Sequence, residues 1–386
     1  MKICIVTTAF PRWPGDFRGP FVYEAAQALR RRGNTVRVIA MHNPGAKSVE
    51  DLDGLEVIRP PYLPERWEVL QKDSAGLPLV WKQYPLARLA LLPFLLRHTA
   101  AVARYANDCD IIHANWTLSA FAALLSQPVH RRPYVVTVQG SDIFQAPRIP
   151  LVRPLTRLAL NRAARVLALS GSLAQATADL GVPADRIQIM PNGVNIERFP
   201  AAAMEDREPI ILYAGTLIPR KGADYLIRAL PVVVQQCPQA RLVLIGEGEM
   251  REQLGRLVEQ LGLQEKVTFA GTLPQEEVSA WMRRAQIFVL PSLEEGQGVV
   301  VLEALASGTP CVGSRAGGIS DSITPDVGLL VPPGDSQALA GAMLEILTDR
   351  EKRLAMSAAA RRRAQDVYDW DKIAARIEQV YRQVGA

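Results

Sequence analysis

Cysteine is scarce in this chain of 386 residues. The four cysteines are spread along the sequence without C-x-x-C spacing, and most lie in apolar runs: Cys4, Cys109, Cys237 and Cys311. Such a pattern offers neither a metal site nor a disulfide framework. We therefore expect a protein of a reducing compartment, with a cytoplasmic location.

The sequence also lacks an apolar run long enough to cross a bilayer. Residues 1–18 contain too short an apolar stretch for a signal peptide, and they predict a first strand instead. In the most apolar later segment, 86–105, the longest uncharged block lies between Arg88 and Arg97, far below the length of a bilayer span. Two interpretations of this segment remain: a buried helix kinked at Pro93, or a basic aliphatic helix on an anionic membrane surface.

Negative charge is deficient in the first half of the chain. Residues 1–200 hold 24 Lys and Arg against 15 Asp and Glu, a net +9, whereas the remaining residues carry a net −4. A basic half favours anionic partners, such as phosphate groups or an anionic lipid surface. No zinc finger, RNA-binding signature or Lys-rich tail accompanies the charge, so a nucleic-acid partner is not expected.

What the sequence does contain is a regular alternation of short apolar runs and helical patterns. The predicted strands are 2–7, 35–41, 110–115, 133–138, 165–170, 187–190, 209–215, 240–246, 266–271, 286–290, 309–313 and 328–331. Continuous apolar strands are typical of parallel sheets that are covered by helices on both faces. Since the length suits two domains, we predict an α/β protein with two doubly wound, Rossmann-like domains.

The predicted boundary between the domains is the segment 191–209, which is rich in turn formers and small residues. We assign residues 1–195 to the first domain and 205–368 to the second. Ligands of open parallel sheets bind beyond the carboxyl ends of the strands. A cleft between two facing sheets is therefore the expected site.

The most informative motif is SLEEGQGVVVLEALASGTP, residues 292–310, which follows a predicted buried strand. We predict a helix that begins near Gly298. The start of a helix offers free backbone N–H groups and the positive end of the helix dipole, which suits a phosphate group. Glu303 could then accept hydrogen bonds from a ribose diol, and Glu295 could face a sugar. The alternative is that both acids only complement the helix dipole on a surface.

This motif resembles the E-x7-E region of the retaining glycosyltransferases of family 4. The agreement continues in AGTLIPRKGADYLIRAL, LVLIGEGEMREQL, VTFAGTLPQEEV, PNGVNIERF, GSDIF and VGLLVPPGD. The resemblance implies the GT-B fold, in which two facing Rossmann-like domains enclose a cleft. It also implies a nucleotide-sugar donor on the second domain, an acceptor on the first, and a terminal helix, about 370–386, that crosses back to the first domain.

In the second domain the resemblance assigns residues to the donor. Glu303 matches the acid that binds the nucleotide ribose, and Glu295 matches the acid that contacts the donor sugar. Lys221 matches the lysine that neutralises the diphosphate as it leaves. The backbone amides of the helix start match those that meet the sugar and the diphosphate: Gly298, Val299 and Val300. Base recognition in this fold is expected from main-chain groups near Leu273.

Three positions depart from the family pattern. Thr216 stands where the family commonly has an arginine, and Arg220 could supply that charge from a different point. Gln139 stands where the family often has a histidine that hydrogen-bonds the donor sugar. An amide can donate and accept hydrogen bonds but cannot titrate. Gln297 replaces an aromatic residue, which should change the pocket wall more than the chemistry.

In the first domain, Gly15 and Gly19 match a glycine-rich loop that approaches the donor phosphate and the acceptor. The alternative is an ordinary turn between a strand and a helix. Arg18 and Asp142 are further candidates on the acceptor side.

The sequence thus predicts a retaining, metal-independent glycosyltransferase that needs no cofactor and uses a UDP- or GDP-linked sugar donor. The DLD at 51–53 resembles a metal motif only superficially, because it falls in a predicted polar loop. The expected acceptor is a glycan or a lipid-linked molecule of bacterial envelope polysaccharide or glycolipid synthesis, met at the cytoplasmic membrane face. Two alternatives stay open: a sugar-nucleotide 2-epimerase of the same fold, and a non-catalytic subunit that binds a glycan or a nucleotide.

Overall fold

The computed structural model of the protein describes residues 1–13, 16, 18–70, 87–145, 149–150 and 152–385. The chain divides into two compact units, Met1–Asn192 with Trp370–Ala386, and Gly193–Asp369. Each unit is built on one sheet, and nearly all strand neighbours in the two sheets are parallel. The prediction of an α/β protein with two doubly wound domains is confirmed.

The sheet of the first unit has eight strands among the described residues, in the order β3-β4-β2-β1-β5-β6-β7-β8. Strands β1 to β8 are Lys2–Thr7, Thr35–Ala40, Val49–Leu52, Leu55–Ile58, Ile111–Asn115, Tyr134–Val138, Arg165–Ala168 and Ile187–Ile189. Only β3 and β4 pair antiparallel within the described sheet. Six of these strands lie where the apolar runs predicted them, because a strand buried on both faces needs an unbroken apolar sequence.

Helices cover both faces of the first sheet. Helices α1 to α6 are Pro20–Arg31, Ala87–Tyr105, Thr117–His130, Ser141–Phe144, Val152–Arg162 and Gly171–Asp179, and the terminal helix is Trp370–Gly385. Ile3 and Ile5 of β1 face a core with α1 and the terminal helix, whereas Cys4 and Val6 face a core with α2, α3 and α5. The terminal helix therefore belongs to the first unit.

The expectation of a polar loop at 51–53 is wrong, because these residues belong to a β-hairpin. Strands β3 and β4 are joined by Asp53 and Gly54, which have φ values of 53° and 80°. Positive φ at both central residues is typical of a type I′ turn, for which Asp-Gly is a favoured pair. The Asp-Gly dipeptide was the sequence signal for this hairpin. The polar residues of β3 did not match the apolar runs from which strands were predicted.

The sheet of the second unit has six strands in the described chain, all parallel, in the order β11-β10-β9-β12-β13-β14. Strands β9 to β14 are Glu208–Ala214, Arg241–Ile245, Val267–Gly271, Ala285–Leu290, Cys311–Ser314 and Gly328–Val331. Helices α7 to α13 are Ala223–Gln236, Arg251–Gln260, Gln275–Arg284, Val299–Ala306, Ile319–Ser322, Ser336–Thr348 and Arg350–Arg363.

The strand order of the second sheet reverses beside β9. Its next strand in the chain, β10, lies on one side, and β12 lies on the other. The loops that leave the carboxyl ends of β9 and β12, residues 215–222 and 291–298, therefore start side by side. Ligands of doubly wound sheets bind at such a reversal, where the two loops diverge.

Candidate donor-binding site

Lys221 is carried by the loop that follows β9. Gly222, the next residue, has a φ of 68°, and a Cβ at this position would lie 2.2 Å from the carbonyl oxygen of Pro291. Only glycine lets the two loops approach this closely. The backbone N–H of Leu293 donates to the carbonyl oxygen of Arg220 at 2.7 Å. The loop after β9 is thus fixed against the loop after β12, which carries Glu295.

The side chains of Lys221 and Glu295 form an ion pair. They are only 14% and 12% exposed, so water screens the pair poorly. Burial raises the pKa of Glu295, but the charge of Lys221, its hydrogen bond and smaller contributions act together against burial and hold the pKa below its usual value. Arg220 is exposed, and its charge lowers this pKa further. The structure therefore places a fixed cation and a fixed anion at the strand reversal.

The backbone of Glu295 is held from a third side by the loop after β13. A Cβ on Gly317, whose φ is 55°, would lie 1.8 Å from the carbonyl oxygen of Glu295. The N–H of Gly318 donates to the same oxygen at 3.2 Å. Sequence reasoning missed this contact, for which the Gly-Gly pair after a predicted strand was the only signal.

The predicted helix after this loop is α10, and it begins directly behind Gly298. This glycine is the N-cap, with a φ of 77°. Val299 and Val300 are half-buried in the first turn, while Val301 is fully buried in the core. The N–H of Val301 donates to the carbonyl oxygen of Gly298 at 2.8 Å, whereas the N–H groups of Val299 and Val300 come too early in the helix to have an acceptor within it. They suit an anionic group.

Glu303 lies one turn further along α10 and is 8% exposed. Its Oε1 accepts a hydrogen bond from Nε2 of Gln275 at 3.3 Å, and Oε1 of Gln275 accepts one from Arg198 at 2.8 Å. Burial raises the pKa of Glu303 to about 7, although Gln275 and the charge of Arg198 act in the opposite direction. The carboxyl group therefore changes its charge close to neutral pH. Gln275 and Arg198 were not identified from the sequence.

The remaining candidates of the second unit lie in loops and at strand ends. Thr216 is exposed after β9, and its carbonyl oxygen accepts a hydrogen bond from the hydroxyl of Tyr213 at 3.2 Å. Leu273 follows β11 and packs, half-buried, against the core of the unit. Gln297 is 3% exposed, so it fills space just before α10.

In the first unit, Gln139 follows β6, and its Nε2 donates to Oδ1 of Asn115 at the end of β5, 3.1 Å away. Asp142 is buried and accepts from three backbone N–H groups, those of Gln139, Gly140 and Thr117, at 2.9 to 3.2 Å. Burial raises the pKa of Asp142 to about 6. This carboxylate therefore holds the loop that carries Gln139.

The other candidates of the first unit follow β1 in the sequence. Arg18 donates from Nη1 to Oδ1 of Asn43 at 3.0 Å, so its guanidinium is held by the segment after β2. Gly15 lies outside the described residues. Within the described part of the chain, no group of three or more His, Cys, Asp or Glu side chains is arranged to hold a metal ion.

A solved structure shows which class of fold this is. Sucrose-phosphate synthase from Thermosynechococcus elongatus superimposes with a TM-score of 0.81 at 24% sequence identity, over 100% of this chain and 99% of that chain. The shared architecture is the GT-B fold, in agreement with the predicted fold class.

Two family models cover most of the chain. "Glycosyltransferase Family 4" matches residues 19–198, and "Glycosyl transferases group 1" matches residues 195–363. The phosphatidyl-myo-inositol mannosyltransferase of Mycobacterium leprae is 30% identical over 94% of this chain and 92% of its own. A GDP-mannose-dependent alpha-(1-6)-phosphatidylinositol monomannoside mannosyltransferase of Mycolicibacterium smegmatis is 31% identical over 70% and 76%. The chain therefore belongs to glycosyltransferase family 4.

Proposed function

We propose that the protein transfers a sugar from a nucleoside-diphosphate sugar to an acceptor hydroxyl, with retention at the anomeric carbon and without a metal ion. The observation that carries the proposal is the ion pair of Lys221 and Glu295 at the strand reversal of the second sheet. Lys221 lies in the loop that leads to α7, and Glu295 lies in the loop that leads to α10, whose start offers backbone N–H groups and whose second turn carries Glu303.

This arrangement suits the separation of charge in such a reaction. The bond between the sugar and the diphosphate breaks, the acceptor oxygen bonds to the sugar on the same face, and the departing phosphate takes the acceptor's proton. Negative charge then grows on the phosphate and positive charge on the sugar. Lys221, with Arg220 beside it, complements the first, and Glu295 complements the second. Neither side chain has to form a covalent bond to the sugar.

The two relatives support a donor and an acceptor class. Both are named as mannosyltransferases that act on phosphatidylinositol lipids, and one is named for GDP-mannose. For this protein we propose a GDP- or UDP-linked sugar as the donor. The proposed acceptor is a lipid-linked molecule or a glycan of envelope polysaccharide or glycolipid synthesis.

Nucleotide binding can be tested by thermal unfolding. UDP, GDP and ADP, and their sugar conjugates, are added in turn to the full chain. A ligand present at a hundred times its dissociation constant should stabilise the folded protein by about 2.7 kcal/mol. One base should stand out, and addition of EDTA should leave the shift unchanged. If no nucleotide raises the unfolding temperature, the proposed donor class is wrong.

Turnover can be tested at Lys221. Replacing Lys221 with methionine should lower kcat by about a hundredfold or more, since it removes a charge that acts on the developing phosphate. Lys266→Met is the matched control, because Lys266 precedes β11 and so lies at the amino ends of the strands, whereas Lys221 lies beyond their carboxyl ends. The K221M variant leaves Glu295 buried without its cation, and the double variant K221M/E295Q removes that uncompensated charge. Comparing the unfolding temperatures of the two variants shows whether misfolding explains a loss of turnover in K221M. Turnover of K221M at the wild-type rate would refute the proposal, and the configuration of the product, read by NMR, tests retention.

A further inference from the structure

The carboxyl group of Glu303 makes one hydrogen bond within the described chain. Its Oε1 accepts from Nε2 of Gln275 at 3.3 Å, and its Oε2 accepts none from the described residues. Gln275 is half-buried at the start of α9, which packs beside α10. Its own Oε1 accepts from Nη1 of Arg198 at 2.8 Å. Three side chains are therefore linked in a row that begins at a guanidinium group and ends at a carboxylate.

The chemistry of Arg198 fixes the direction of this row. A guanidinium group has only N–H donors and no acceptor, so the carbonyl oxygen of the Gln275 amide has to face Arg198. The NH2 group of the same amide then faces Glu303. An NH2 group donates and is matched best by an ionised carboxylate, which can only accept. Arg198 therefore acts on Glu303 through the amide of Gln275.

The position of Arg198 is fixed by contacts of its backbone. Oδ1 of Asn195 accepts from the N–H groups of Glu197 and Arg198, at 3.1 and 3.0 Å, and so closes a turn. The hydroxyl of Ser279, one turn along α9 from Gln275, donates to the carbonyl oxygen of Arg198 at 2.8 Å. The segment that carries the guanidinium is thereby tied to the helix that carries the amide.

Among the described residues, Arg198 is the one charged group that acts on Glu303. Burial raises the pKa of Glu303, and the hydrogen bond from Gln275 and the charge of Arg198 lower it. Arg361 of α13, which packs against α10, donates to backbone carbonyl oxygens instead. The acids on the elements around α10 are exposed and do not contribute to this pKa: Glu276, Glu277, Asp321 and Asp366.

We propose that Gln275 and Arg198 are positioning residues for the donor nucleotide: Arg198 orients the amide of Gln275, and this amide holds the carboxylate of Glu303 so that its Oε2 is left for a ribose hydroxyl. The inference rests on the proposed function, because that function supplies the ribose as the ligand of Glu303. It adds that a neutral amide and a cation from two separate segments set the affinity of the acid for the nucleotide.

The first test is calorimetric titration of Gln275→Leu with GDP and with UDP, at pH 7 and at pH 9. Loss of the amide donor favours the protonated form of Glu303. If the midpoint of its titration rises by about one pH unit, the ionised fraction at pH 7 falls from about a half to about a tenth, and Kd rises about fivefold. At pH 9 the acid is ionised in both proteins, so the two Kd values should agree. A merely structural defect would weaken binding at both pH values.

Variants of Arg198 and a matched control complete this test. Arg198→Met should weaken binding at pH 7 and recover at pH 9, whereas Arg198→Lys keeps a charged donor and should bind like the wild type. Gln286→Leu is the control, because Gln286 is half-buried in the same unit and its Nε2 donates to the carbonyl oxygen of Arg207 at 3.1 Å. Its binding should match the wild type at both pH values. The inference is overturned if Gln275→Leu binds unchanged at pH 7, if its loss persists at pH 9, or if the control shows the same pattern.

A second measurement needs no nucleotide and separates this inference from the proposed function. Thermal unfolding is followed from pH 5 to pH 9 for the wild type, Q275L, E303Q and Q275L/E303Q. The difference between the wild type and E303Q reports the titration of Glu303, and it should keep growing to a higher pH when Gln275 is leucine. If GDP and UDP fail to bind the wild type, the proposed function fails while this comparison still tests the link from Gln275 to Glu303. If the two differences coincide at every pH, the link is refuted even though nucleotides bind.

Discussion

The raised pKa of Glu303 makes the pH dependence of nucleotide binding a sharp test of its role. A carboxyl group accepts hydrogen bonds from both hydroxyls of a ribose diol best when it is ionised, because protonation turns one of its oxygens into a donor. With a pKa of about 7 in the free protein, about nine tenths of Glu303 is ionised at pH 8 and about one tenth at pH 6. We therefore expect the dissociation constant of the nucleoside diphosphate to rise about tenfold from pH 8 to pH 6.

The phosphate groups of the ligand also titrate in this range, so a control must remove only the protein's part. Glu303→Gln provides it, because the amide keeps the size of the side chain and cannot titrate. The assay is calorimetric titration of both proteins with the same nucleotide at pH 6, 7 and 8. The difference between the two pH profiles reports Glu303. Parallel profiles would show that Glu303 does not bind the ribose in its ionised form, and the reasoning would fail.

The same pKa has a consequence for stability, with a definite sign. The folded-state pKa of Glu303 lies above the ordinary value of 4.5, so the folded protein binds more protons than the unfolded chain between about pH 4.5 and pH 7. Its contribution therefore lowers the free energy of unfolding as the pH rises through this window. A difference of about 2.5 pKa units corresponds to at most about 3 kcal/mol. Glu303→Gln should thus unfold at a higher temperature than the wild type at pH 8, with the gap closing toward pH 5.

Other predictions follow from single contacts. Gly317→Ala would place a Cβ against the carbonyl oxygen of Glu295 and should lower kcat about a hundredfold, whereas Gly341→Ala, whose Cβ meets nothing within 4 Å, should not. Asp142→Asn puts an amide where three backbone N–H groups need acceptors, so it should lower the free energy of unfolding by about 1–3 kcal/mol and slow turnover by loosening the loop after β6. Arg207→Met leaves the five oxygen atoms around this buried guanidinium without their donor, and should cost about 3 kcal/mol in thermal unfolding.

Most of the sheet architecture could be predicted from the sequence, because a strand buried on both faces has an unbroken apolar run. The run KICIVT needs no tertiary information to predict a strand, and β1 spans Lys2–Thr7 as expected. Strand β3, Val49–Leu52, lies at the sheet edge with alternating exposed residues, so it has no unbroken apolar run. The Asp53-Gly54 turn was the stronger signal there.

The candidate site was less accessible to sequence reasoning, because its contacts join distant segments. The motif spacing indicated Lys221 and Glu295 separately, but their pairing depends on the close approach of two loops that Gly222 permits. Asp142 accepts hydrogen bonds from two N–H groups of the loop after β6 and from the N–H of Thr117, the first residue of α3, and nothing in the local sequence specifies this set. The acceptor-side role of this acid stays a prediction, and the geometry adds that it holds the loop after β6.

The pairing of Lys221 with Glu295 also bears on how the proposed reaction would be driven. In the free protein each charge is largely satisfied by the other, so the pair is stable in a poorly hydrated place. Before the bond breaks the sugar is neutral and offers Glu295 no positive charge, and the diphosphate carries less negative charge than the departing nucleotide will. In the transition state the sugar becomes positive and the phosphate becomes more negative. Glu295 then gains the sugar as a second partner, and Lys221 gains the phosphate. Interactions that strengthen only as the bond breaks lower the barrier rather than the ground state.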